Sequence, residues 1–118
     1  MEKIAQALAK MNERRDLISP VIRKGSEYYF LFNKKHKWSI SYGTHATASK
    51  LYSLYFYTMP NNIEEIAIMP SFTEDMYVHY SQGKLLELGC LNAVINLYEF
   101  LESSSSGIEK ALDDILSV

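Results

Sequence analysis

Alternation is cleanest over residues 37–42, where Trp38, Ile40 and Tyr42 take one side of an extended chain and Lys37, Ser39 and Ser41 the other. Side chains on a strand point to opposite faces in turn, so this run predicts a strand with one dry and one wet face. Its neighbours carry strand signals too. Residues 28–32 are continuously aromatic and aliphatic, and 21–24 form a short run ending at Gly25 and Ser26, a hairpin turn. Residues 33–36 are polar and turn-like. Residues 50–59 are apolar on both faces, Tyr52, Leu54 and Phe56 against Tyr55, Tyr57 and Met59. The pattern therefore leaves open which of those faces is core. Residues 63–69 and 75–80, around Pro70, read as weaker strands.

The two ends of the chain have a different period. Ile4, Ala7, Leu8 and Met11 recur at helical spacing within residues 2–16, and Pro20 sets a limit on that helix. From Lys84 onward, Leu86, Cys90, Ala93, Val94, Leu97, Phe100 and Leu101 form one apolar stripe. Leu88, Leu91, Ile95 and Tyr98 form a second beside it. The serines at 103–106 followed by Gly107 predict a flexible break, with a final helix starting near Gly107. The order predicts one α+β domain over residues 1–118. It has an N-terminal helix, an antiparallel sheet of about four to six strands, and two C-terminal helices packed on the sheet.

Composition adds three constraints. Hydrophobic residues make up 47% of the chain and charged residues 22%, ordinary values for a folded domain. Cys90 is the one cysteine, so no intrachain disulfide forms; with no apolar leader at the N-terminus, a reducing, cytoplasmic setting is expected. No stretch approaches the length of apolar sequence that a membrane helix needs. The net charge of −2 conceals a lopsided distribution: ten Lys/Arg against four Asp/Glu in residues 1–50, and two against ten in residues 51–118. The two halves either neutralise each other on folding or leave a basic surface for an acidic partner.

The motifs of common catalytic chemistry are missing. No glycine-rich phosphate loop occurs, so the backbone amides that cradle nucleotides have no source here. His36, His45 and His79 lack metal-ligand spacing, and neither a metal nor a cofactor is implied. Cys90 lies in an apolar stripe, where burial keeps a thiol protonated and inert. No serine sits in a nucleophile elbow.

What stands out is aromatic and basic. Nine tyrosines occur, and the strands that carry them are too apolar for a single core face. The first expectation is a non-catalytic protein-binding module, inhibitor-like or adaptor-like, using a Tyr-rich sheet face. A second copy of the chain is one candidate partner. Tyr52, Tyr55, Tyr57, Trp38 and Lys35 are its candidate contacts. Helices on both faces of the sheet would be the alternative cover. A second expectation is nucleic-acid binding by the basic-aromatic region 23–57, with Arg23, Lys34, Lys35 and Lys37 on phosphates. A third is a small enzyme with a pocket of His45, His79 and tyrosines.

Overall fold

Five strands follow one another across a single antiparallel sheet, β1 (Ile18–Lys24), β2 (Glu27–Phe32), β3 (His36–Thr44), β4 (Lys50–Tyr57) and β5 (Tyr77–Ser81), in chain order. Helix α1 (Lys3–Glu13) precedes them; α2 (Ile63–Ile68) interrupts between β4 and β5, and α3 (Gln82–Glu87) and α4 (Leu91–Leu116) follow. In the computed structural model, residues 2–44 and 50–118 are described, those at 44 and 105–114 by their backbone alone. The fold is the expected α+β arrangement: an N-terminal helix, an antiparallel sheet, and two C-terminal helices on the sheet. Among the described residues no helix is long and apolar enough to cross a membrane.

The register assigns each strand's faces. Trp38 pairs with Phe30 and Phe56, and Ile40 with Tyr28 and Leu54. Partners directly opposite point the same way, so these rings and branches share one face. Leu8 and Met11 of α1 and Val94, Leu97, Tyr98 and Leu101 of α4 close over it. The cluster is dry: Phe30, Ile40, Leu54 and Leu97 are fully buried. Polar ties fix the two helices above it. Asn12 Nδ2 donates to the Ala93 carbonyl at 3.0 Å, joining α1 to α4, and Tyr98 OH donates to the Ser26 carbonyl at 2.9 Å, joining α4 to the β1–β2 turn.

The opposite face is covered differently. Met59, Ile63, Ile66 and Ala67 pack on Tyr29 and Tyr57, so α2 and the chain leading into it roof part of the sheet. Residues 63–68 thus form a helix where a strand is expected. Asn62 caps it: its side chain accepts from the Glu65 amide at 2.8 Å while Glu65 Oε1 accepts from the Asn62 amide at 3.2 Å. That reciprocal pair satisfies two amides that a helix start leaves free. Once capped, Ile63, Ile66 and Ala67 fall on one buried side.

The C-terminal region also breaks elsewhere than expected. The backbone of α4 is helical through the serines at 103–106 and Gly107, without interruption. The interruption lies at Leu88–Cys90. Gly89 has φ of +73°, its amide donates to the Leu86 carbonyl, and the Cys90 amide donates to the Leu85 carbonyl, both at 3.0 Å. This pair of bonds closes a helix end around a left-handed glycine. Serine lowers helix propensity only slightly, whereas a residue with positive φ stops a helix outright. Cys90 sits just past that stop. It is buried, and burial raises its thiol pKa.

Candidate functional site

The part of the second face that α2 leaves open lies over β4 and β5. Tyr55 and Tyr57 of β4 stand beside His79 and Tyr77 of β5, their direct partners in the register. Phe72, from the segment between α2 and β5, reaches onto them. The four rings of Tyr55, Tyr57, Phe72 and Tyr77 touch in a closed cycle. Tyr55–Tyr57 centroids are 6.4 Å apart, Tyr57–Phe72 5.5 Å, Phe72–Tyr77 6.1 Å and Tyr77–Tyr55 5.5 Å. Together with Glu27 they line a cleft of about 230 Å³. His79 stacks on Tyr55 with its centroid 4.6 Å away.

Glu27 brings charge to this cleft and is held by hydroxyls. Ser39 Oγ donates to Glu27 Oε2 at 2.6 Å and Tyr29 OH donates to Oε1 at 3.0 Å. Ser39 Oγ also lies 2.7 Å from Tyr57 OH. Because the serine proton is committed to the carboxylate, Tyr57 OH is the donor in that second bond. A relay therefore runs from Tyr57 through Ser39 to Glu27. Ser39, on the face of β3 that alternation marks as wet, is fully buried inside this relay. The surroundings keep the phenols neutral. Burial, then the Glu27 carboxylate, pushes Tyr29 well above the usual phenol range and raises Tyr55; burial dominates the rise at Tyr57.

The residues singled out from the sequence divide between places. Tyr55 and Tyr57 are in the ring cycle. Tyr52 and Trp38 are on the other face, under the helices: Tyr52 stacks on Tyr42 at 4.2 Å, and Trp38, 7% exposed, packs on Phe56 at 4.6 Å. Lys35 and Lys34 are exposed in the β2–β3 turn, where Asn33 and Lys34 both have positive φ. Arg23 lies near the end of β1, beside the β1–β2 turn, and donates to the Gly25 carbonyl at 3.1 Å. Lys37 spends its ammonium on the loop before α2, donating to the carbonyls of Met59 and Asn61, the latter at 2.9 Å. The four expected phosphate contacts are thus not gathered into one patch. His45 lies outside the described residues.

Glu27, Phe72 and Tyr77 completed the site without being singled out. The signal for Glu27 was present: alternation along 27, 29 and 31 puts a carboxylate on the same face as Tyr29. Phe72 gave none, since a lone aromatic in a loop has no period to place it.

A second cleft, of about 300 Å³, lies between α1 and the sheet, among Met11, Phe32, Trp38 and Phe56, with Lys10 and His36 also lining it. The Trp38 indole N–H is buried there without a hydrogen-bond partner among the described residues. Among the described residues no group of three His, Cys, Asp or Glu side chains is placed to hold a metal ion. A scan against protein-family models and searches of curated proteins and of solved structures find no match to the chain.

Proposed function

We propose that this protein is a non-catalytic protein-binding module and that the cleft walled by Tyr55, Tyr57, Phe72 and Tyr77 is where its partner docks. The observation that carries the reading is the lining of this cleft: Tyr55, Phe72 and Tyr77 are half-buried beside the buried Tyr57 and the Glu27 carboxylate, whereas the cleft beneath α1 on the other face is lined by no carboxylate. Tyrosine suits a contact surface because it offers a rigid apolar ring with a polar tip. The relay beneath holds Tyr57 in place, so little side-chain freedom is lost on docking.

Panning a random-peptide library on the immobilised domain tests the proposal. Binders lost on Tyr55→Ala and Tyr77→Ala but kept on Tyr52→Phe, a change on the opposite face, support it. A library that yields no binder, or binders indifferent to Tyr55 and Tyr77, overturns it.

A further inference from the structure

We infer that the aromatic cleft receives the side-chain ammonium of a lysine on the partner polypeptide, in a form that keeps at least one N–H. This rests on the binding-module reading and names its ligand. The face of an aromatic ring is electron-rich and attracts a cation, most strongly where water is excluded. Here four rings contact one another in a cycle around one cleft. Glu27 lines the same cleft, and among the described residues its carboxylate is held by the hydroxyls of Ser39 and Tyr29. Among the described residues the ion pairs are Arg14–Asp16 and Lys84–Glu87, so no cation sits on Glu27. Lys24, its direct partner across β1 and β2, is exposed and makes no ion pair with a described residue either.

The chemistry narrows the cation further. Each Glu27 oxygen accepts one hydroxyl proton and keeps a second acceptor position. A ligand that retains an N–H can use it, forming a charge-assisted bond that a trimethylated head lacks. A ring cycle with a carboxylate in the same cleft suits a compact, near-spherical head. A guanidinium is planar and would lie along a single wall. Lysine, unmodified or carrying one or two methyl groups, meets both conditions.

The test is a chemical-shift titration of the ¹⁵N-labelled protein with Nα-acetyl-lysinamide, its mono-, di- and trimethylated forms, the neutral Nα-acetyl-norleucinamide, and choline. The lysine forms with an N–H should move the signals of Tyr55, Phe72 and Tyr77, and norleucinamide should not. Glu27→Gln, which keeps an acceptor and removes the charge, should weaken binding about tenfold. Tyr77→Ala, at the edge of the sheet, should weaken it by a similar factor, each variant's own spectrum reporting that it is folded. Equal binding of norleucinamide, an unchanged affinity in Glu27→Gln, or no shift with any cation overturns the inference. Binding of choline in preference to every lysine form overturns it in favour of a free small cation. Library binders without lysine, together with a blank titration, sink the cation and leave the module standing. A positive titration with an empty library sinks the polypeptide partner instead.

Discussion

The two faces of the sheet use the same residue type for different ends. On the side of α1 and α4, Tyr42 stacks on Tyr52, and Tyr28, Tyr42 and Tyr52 each meet Tyr98 of α4 edge to face, Tyr28 and Tyr98 in the core and Tyr42 and Tyr52 half-buried against it. Under α2, Tyr29 and Tyr57 bond to a serine and a carboxylate, and Tyr55 and Tyr77 wall a cleft. The first face gains stability from apolar area removed from water. The second buries polar groups, which is neutral at best for stability and worthwhile only if they hold something in position. It is the carboxylate set among rings, rather than the aromatic content, that separates this face from the core on the other side.

The sharpest way to break this contrast is to truncate each face in turn. Phe30→Ala, in the sealed core, should cost about 3–5 kcal/mol, a large part of the stability of a domain this size. Urea denaturation reads it, and a loss below about 1 kcal/mol would mean that the helix-side face is not the structural one. Ser39→Ala comes next, at about 1–3 kcal/mol, because it strands both the Tyr57 hydroxyl and a carboxylate oxygen. A neutral result in the same assay would show that the relay does not order the cleft.

A smaller effect is expected at Tyr57→Phe, about 1 kcal/mol at neutral pH. Its second signature is in alkali. Burial holds Tyr29 and Tyr57 protonated in the folded protein above the pH at which they ionise in the unfolded chain, near the ordinary value of 10.0. Above that pH the folded state binds more protons than the unfolded one, so stability is full below about pH 10 and falls as pH rises beyond it. Tyr57→Phe should flatten that fall in thermal melts taken between neutral and strongly alkaline pH; an unchanged slope would place the alkaline loss elsewhere. The smallest change, about 0.5–1 kcal/mol, is expected for Asn62→Ala, which removes the cap of α2. Faster hydrogen exchange at the amides of Ile66 and Ala67, with those of α4 unmoved, would confine it to the second face.

Most of the architecture is legible in the sequence because periodicity records burial. The alternation of β3 put Trp38, Ile40 and Tyr42 on the core side, where they are. The twin stripes from Lys84 onward predicted a helix packed on the sheet, and Val94, Leu97 and Leu101 are buried there, while Leu86, before the interruption at Gly89, is exposed. The errors share a cause, which is that short signals compete. Residues 63–69 hold apolar positions at both strand and helix spacing, and the deciding feature is the cap formed by Asn62 and Glu65, not the apolar pattern. The serine run weighed too heavily and the lone Gly89 too little, although a single left-handed residue outranks several mild helix formers. At the site, half was readable: Tyr55 and Tyr57 lay on a strand with two apolar faces. The split of Tyr52 from Tyr55 depended on register with β3, which no local pattern on β4 could supply. Phe72 and Tyr77 arrive from a segment whose path depends on where α2 docks.

The strand order has a kinetic corollary. β2, β3 and β4 each pair with the strand made just before them, so the meander grows by closing one short loop at a time, with little chain entropy lost per step. The bond from Asn12 to Ala93 spans 81 residues and ties the first helix to the start of the last. The entropic toll of closure thus gathers at the meeting of α1 with α4, and the helix-side core is sealed only when that last span is bridged.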